Sequence, residues 1–275
     1  MINNKKFGLI GERLGHTFSP IIHREILKHI NIQGQYEVLE FEKDYLPNII
    51  DNLKYGAYKG INVTIPYKTD IIPYLDEISS EAEKIGAVNT ISFSGDKAIG
   101  YNTDYFGFGK LLDFHKIDVR QKTALILGTG GASRAVSRYL EDNYIKSIKF
   151  ASTNPEQSKN KYCGYEIYSY DELNQIEKTD IIINCTPVGM FKDKDKTPVD
   201  KSYLTKFSVI IDLIYNPIET TLLIQARKLG LKTANGLYML TAQAVKSQEI
   251  WNDVIIDDSI IDKINTLLIK EISLK

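Results

Sequence analysis

A chain of 275 residues with 43% apolar and 25% charged residues has room for two globular domains and does not have the composition of a disordered protein. Its 34 basic and 35 acidic residues, net charge −1, are interspersed, which argues against nucleic acid or an anionic membrane surface as a partner. Cys163 and Cys185, the two cysteines, belong to no Cys-x-x-Cys pair and no histidine cluster, so neither a disulfide framework nor a bound metal is expected.

The apolar stretch before Gly11 is too short for a signal peptide or a membrane span, so a cytoplasmic chain is expected. From there the first hundred residues alternate apolar runs with helix-like segments, the pattern of βα units and a mostly parallel sheet. Phe7–Ile10 reads as a strand, and Ser19-Pro20 as an N-cap followed by proline at the first helical position, with Ile22, Ile26, Leu27 and Ile30 on one face. Further strands are predicted at Tyr36–Leu39, Gly60–Thr64 and Ala87–Phe93, the last turning at Gly95-Asp96 into Ala98–Tyr101. Thr103–Asp118 reads as a linker. Strands at Thr123–Leu127, Ile148–Phe150, Asp180–Asn184 and Val209–Leu213, separated by helix-length intervals, form a second, doubly wound series. Helical periodicity returns with Leu240, Ala244 and Val245 and again from Ile260 to Ile272. The expected fold class is α/β with two domains. Residues 1–104, completed by helices in 240–275, form one; residues 105–239 form the other, Rossmann-like and doubly wound, with a cleft between them.

After the strand Ala124–Leu127 comes Gly128-Thr129-Gly130-Gly131-Ala132-Ser133-Arg134, and then a helix carrying Ala135, Val136, Tyr139 and Leu140. Strand, glycines and helix in that order bring backbone N–H groups and the positive end of a helix up to a pyrophosphate. A glycine turn used only for packing is the other reading. Where an NAD enzyme carries an acid for the ribose, about 20 residues on, this chain has Ala151-Ser152-Thr153-Asn154. The lack of a carboxylate favours NADP, its 2′-phosphate held by these hydroxyls with Arg134, Lys159 or Lys161. A plain N-cap and turn is the alternative.

Gly15-His16-Thr17-Phe18-Ser19-Pro20, Asn62-Val63-Thr64-Ile65-Pro66-Tyr67-Lys68, Gly86-Ala87-Val88-Asn89-Thr90, Asn102-Thr103-Asp104 and Asn235–Gln243 share their order and spacing with one family. Together with the glycine loop, Asn184–Met190 and Asp212–Pro217, they resemble shikimate dehydrogenase along nearly the whole chain. The resemblance implies an NADP-dependent oxidoreductase of chorismate and aromatic amino acid biosynthesis, acting on the small molecules 3-dehydroshikimate and shikimate, as a monomer or homodimer. Lys68 and Asp104 would be the catalytic pair, and Thr17 and Ser19 would hold the substrate carboxylate. Asn62, Thr64, Asn89, Tyr215 and Gln243 would reach its hydroxyls and ring atoms. Cofactor contacts would come from Gly128, Gly130, Gly131, Ala132, Ser133, Ser152, Thr153, Asn154, Thr186 and Gly236.

The chemistry agrees with these roles. Reduction of a ketone needs a proton at the forming alkoxide, which a lysine ammonium supplies while stabilising negative charge on oxygen, and a neighbouring carboxylate keeps the amine charged and oriented. Taken singly, Lys68 would be a surface lysine, Asp104 or Ser19 a helix cap, and His16, His23, His29 and His115 structural; only the joint pattern says otherwise. Two departures from the family pattern matter. Thr17 stands where serine is usual and narrows the carboxylate pocket, and Ser152-Thr153-Asn154 replaces Asn-Arg-Thr. They keep open a quinate/shikimate dehydrogenase that uses NAD as well as NADP. A metabolite-binding relative without catalysis is the reading from another class, and retention of both Lys68 and Asp104 speaks against it.

Overall fold

The computed structural model describes residues 4–15 and 17–273, so His16 lies outside the described residues. The chain forms two compact units, one made of the residues up to Gly107 with Thr241–Thr266, the other of Phe108–Leu240 with the chain from Leu267 on.

In the first unit the chain runs through β1 (Lys5–Gly11), α1 (Ser19–His29), β2 (Gly34–Glu40), α2 (Leu46–Tyr55), β3 (Tyr58–Val63), β4 (Glu77–Ile78), α3 (Ser80–Ile85), β5 (Thr90–Ser94), β6 (Lys97–Tyr101) and the start of α4 (Thr103–Phe114). The strands form one sheet in the order β2-β1-β3-β5-β6-β4. Among the described residues three of its five pairings are parallel, and β3-β5-β6 is antiparallel. Ile10, Ile61, Val63 and Ile91 fill its core.

Three local expectations are corrected. Ser19 does not cap α1: the cap position is Phe18, without a side-chain cap bond, and Ser19 is already helical, which leaves its hydroxyl available for other contacts. The strand expected from Ala87 begins only at Thr90. Gly86, at φ 68°, ends α3 in the left-handed region, and the Val88 N–H then donates to the Lys68 carbonyl at 2.7 Å rather than to a ladder. The expected linker at Thr103–Asp118 is mostly helix. Asn102 accepts from the Tyr105 N–H, and Phe108, Leu111 and Leu112 bury one face of α4.

The second unit follows with β7 (Thr123–Leu127), α5 (Gly131–Asp142), β8 (Ser147–Ala151), α6 (Pro155–Lys161), β9 (Glu166–Tyr168), β10 (Ile181–Asn184), β11 (Val209–Asp212), α7 (Thr221–Lys228) and β12 (Lys232–Asn235). Its sheet, in the order β12-β11-β10-β7-β8-β9, is parallel throughout the described pairings. That order reverses between β7 and β10, the switch point at which open α/β sheets bind ligands. The glycine loop leaves β7 at that point. The edge strands β9 and β12 went unrecognised in the sequence because neither carries an apolar run.

Two last helices follow, α8 (Leu237–Asn252) and α9 (Ser259–Ser273). Thr241–Asn252 of α8 belongs to the first unit. Trp251 lies in its core at 1% exposure, its indole N–H donating to the Ile91 carbonyl at 2.9 Å. Gly60 makes room for it, since a Cβ there would stand 2.1 Å from the indole. The part of α9 from Leu267 groups with the second unit rather than, as expected, with the first.

Candidate active site

β3 ends at Val63, and a series of turns from Thr64 carries the chain to Lys68; β6 ends at Tyr101, and Asp104 stands in the first turn of α4. The two meet as an ion pair, Lys68 Nζ to Asp104 Oδ2 at 2.5 Å, with side chains 14% and 8% exposed. Removal of most water strengthens such a pair, and the first turn of a helix favours a carboxylate. Asn89 Nδ2 donates to Asp104 Oδ1 at 2.9 Å, while Asn89 Oδ1 accepts from the Thr103 N–H at 2.7 Å. Asp104 is therefore held from two sides and holds the amine in turn.

A buried polar cluster continues from there. Thr103 Oγ1 reaches Gln243 Oε1 at 3.4 Å, and the hydroxyls of Thr90, Thr103 and Ser247 lie within 2.9–3.2 Å of one another. Asn62 donates from Nδ2 to Thr90 Oγ1 and Ser247 Oγ at 3.0 and 2.9 Å. Its Oδ1 accepts from the Tyr36 hydroxyl at 2.8 Å. Thr17 Oγ1 donates to Ser19 Oγ at 3.1 Å. Of the expected substrate residues, Asn62, Asn89 and Gln243 thus join Lys68 and Asp104 in one network, and Thr64 is half-buried four residues before Lys68.

Tyr215 belongs to the second unit, after β11, where burial pushes its phenol above the ordinary value. The turn that carries it is held by Asp212, which is fully buried. Its carboxylate accepts from Thr220 Oγ1 at 2.6 Å, the Ile214 N–H at 3.1 Å and Asn184 Nδ2 at 3.0 Å. Burial pushes Asp212 up to about 6 despite these three bonds. Asn184 Oδ1 accepts from both the N–H and the hydroxyl of Thr186, at 3.0 and 2.7 Å.

Thr186 in turn packs under the glycine loop: Gly128 has φ 93°, and a Cβ there would meet the Thr186 methyl at 2.9 Å. Gly130 precedes the first residue of α5, and a Cβ on it would meet nothing within 4 Å. A cavity of about 450 Å³ opens beside this loop, lined by Gly128, Thr129, Ser152, Thr153, Thr186 and Val188 among others, none of them charged. A pyrophosphate-bearing cofactor fits such a cradle, because an open glycine backbone at a helix start and a cavity of this size are what it requires. Gly236 serves geometry as well; a Cβ there would lie 1.9 Å from the Leu213 carbonyl oxygen.

Two expected cofactor side chains turn inward. Ser133 is fully buried and bonds the Gly130 carbonyl and the Tyr162 hydroxyl at 2.7 and 2.8 Å. Ser152 is buried against Ser158 Oγ at 2.8 Å. Asn154 caps α6 through the Gln157 N–H, which leaves Thr153 as the exposed hydroxyl of the three. Lys159 is paired with Glu156 at 2.6 Å, and the Arg134 guanidinium lies 5.4 Å from the centre of the Tyr162 ring.

A protein named shikimate dehydrogenase (NADP(+)) from Clostridium perfringens is 45% identical over 257 residues, covering 93% of this chain and 95% of its own. The chain belongs to the shikimate dehydrogenase family. Residues 9–91 match the shikimate dehydrogenase substrate binding domain. Among solved structures, a chorismate mutase/shikimate 5-dehydrogenase fusion protein from Clostridium acetobutylicum superposes with a TM-score of 0.94 at 46% identity, over 98% of this chain and 99% of that one. A Thermus thermophilus shikimate 5-dehydrogenase in complex with NADP(H) and shikimate gives 0.84 at 28%, over 95% and 98%.

Several members of the site in this shikimate dehydrogenase family protein escaped sequence reasoning. Tyr36 and Ser247 reach the network from β2 and α8, and Thr90 of β5 and Asp212 were noted only as parts of motifs. Asn62 and Ser247 are 185 positions apart, a separation to which no local spacing rule applies.

Proposed function

We propose that the chain reversibly reduces 3-dehydroshikimate to shikimate with NADP, using Lys68 as the proton donor and acceptor and Asp104 as its partner. The observation that carries this reading is the Lys68–Asp104 ion pair at 2.5 Å, sheltered from water and braced by Asn89. A cofactor held by the backbone of Gly128, Gly130 and Gly131 with Thr153 and Thr186 supplies or removes the hydride when bound. Lys68 gives its proton to the carbonyl oxygen as that oxygen gains negative charge, and takes it back in the oxidative direction. Asp104 keeps the amine charged and aimed, and is free to accept from a substrate hydroxyl. Thr17 and Ser19 hold the carboxylate by donating to it, while Asn62, Thr64, Asn89, Gln243 and Tyr215 orient the ring. A cytoplasmic protein acting as a monomer or homodimer is part of the same proposal.

The test is purified protein with shikimate and either NADP or NAD, followed by absorbance of the reduced nicotinamide. Turnover with shikimate supports the reading, and none with either coenzyme overturns it. A second reading, a quinate/shikimate dehydrogenase of relaxed coenzyme use, is favoured by the uncharged lining of the cavity beside β8, which offers a 2′-phosphate no fixed cation. Comparable kcat/KM with NAD and NADP, or with quinate and shikimate, would select it.

A further inference from the structure

A line of hydrogen bonds from Lys5 to His23 fixes which atom of each side chain along it donates. Lys5 Nζ can only donate, and it donates to Asn252 Oδ1 at 2.8 Å. The Asn252 amide therefore presents Nδ2 to Gln248 Oε1, at 2.8 Å. Gln248 in turn presents Nε2 to His23 Nδ1, 2.9 Å away. His23 thus accepts at Nδ1 and carries its proton on Nε2. Burial holds the ring neutral, pushing it down to about 3. That Nε2 is buried without a hydrogen-bond partner among the described residues, and Asn62 is the polar side chain that raises the ring's proton affinity against burial.

On the other side of Asn62 stands Tyr36. Its ring lies flat on His23, centroids 4.0 Å apart at 8°, and its hydroxyl donates to Asn62 Oδ1 at 2.8 Å. Ser19 is the polar side chain that counteracts the upward push of burial on the same phenol. Thr17 Oγ1 donates to Ser19 Oγ at 3.1 Å and Tyr36 to Asn62, and the His23 N–H is left over.

We propose that Tyr36 is a positioning residue for the substrate's anionic group, its hydroxyl turning from Asn62 to Ser19 when Thr17 and Ser19 donate to a carboxylate. This rests on the assignment of Thr17 and Ser19 made above. In the arrangement observed the Thr17 hydroxyl proton is directed at Ser19, and the hydroxyl protons of Thr17 and Ser19 are both open to capture by an anion. A carboxylate accepts both of them, and the Ser19 oxygen then accepts from Tyr36, which polarises the Ser19 hydroxyl toward the anion. Asn62 Oδ1, released by Tyr36, receives the waiting His23 N–H. The donors of Thr17, Ser19, Tyr36 and His23 then each have an acceptor, so the change leaves none of these four unsatisfied. A neutral amide in place of the carboxylate offers only one strong acceptor and draws this response weakly.

The experiment compares KM and kcat of the wild type, Tyr36→Phe and Ser19→Ala on shikimate and on its carboxamide. Phenylalanine keeps the stack on His23 and removes one oxygen. The proposal expects Tyr36→Phe to raise KM for shikimate on the order of tenfold, the effect of one hydrogen bond to a charged group. KM for the carboxamide should move little, and kcat should stay within about twofold. A general loosening of the fold would raise both KM values alike. Ser19→Ala raising the shikimate KM while Tyr36→Phe leaves it unchanged overturns the role of Tyr36 and spares the carboxylate assignment. An unchanged KM in Ser19→Ala overturns that assignment and this inference with it.

Discussion

Replacing His23 by phenylalanine keeps a flat ring between Tyr36 and Trp251, whose centroids lie 4.0 and 5.4 Å from it, and removes the only titration at that position. The Gln248 amide loses its acceptor, so the variant starts less stable at neutral pH by about 1–3 kcal/mol. Burial drops His23 from 6.5 to about 3. The unfolded chain therefore takes up a proton there that the folded chain refuses, and folded-state stability is full above about pH 6.5 and falls steadily below it. Between about pH 7.5 and pH 5 the wild type should lose ~2 kcal/mol more than His23→Phe, taking 1.36 kcal/mol per pH unit below 6.5. Urea unfolding of both proteins at the two pH values measures this double difference, in which all other titrating groups cancel. Parallel losses in the two proteins would refute the neutral, proton-excluding imidazole.

Lys68→Ala should cut turnover about a hundredfold to ten-thousandfold and leave substrate affinity within a few-fold; unchanged turnover would remove Lys68 from its role. Gly60→Ala places a methyl 2.1 Å from the Trp251 indole and should destabilise the protein by about 3 kcal/mol; an unshifted urea midpoint would show that the indole is not fixed. Burial raises Asp212 from 3.8 to about 6, so its contribution is full below about pH 3.8 and lost as pH rises to about 6, by roughly 3 kcal/mol. The stability of the wild type relative to Asp212→Asn should therefore shrink between about pH 4 and pH 7, and a constant gap in denaturant titrations would refute the raised carboxyl.

The doubly wound sheet was legible because a strand, a glycine loop and a helix follow one another within a few residues, and each signal is local. The Lys68–Asp104 ion pair was legible through motifs alone, since nothing in the spacing of the two residues brings them together; the sheet does so, by setting β3 and β5 side by side with β6 next to them. α4 was misread as a linker because Gly107 and Gly109 interrupt its helical pattern. A Cβ at Gly109 would meet the Tyr139 ring at 2.5 Å, so that glycine answers to packing rather than flexibility. His23 looked structural and is buried, yet its tautomer is set by Lys5, Asn252 and Gln248, from opposite ends of the sequence. Side-chain direction across 225 positions cannot be read from periodicity.

That long-range stitching has a consequence for biogenesis. The glycine-loop unit is built almost wholly from one uninterrupted stretch, Phe108–Leu240, and can condense as soon as that stretch leaves the ribosome. The Lys68–Asp104 unit starts earlier but lacks Trp251, Ser247 and Gln248 until the whole glycine-loop stretch has been made, so β3 and its neighbours must wait with an unfilled groove at Gly60. The sheet of the Lys68–Asp104 unit therefore stays open while the glycine-loop stretch is being made, and its apolar face is the surface that chaperones would find on the nascent chain.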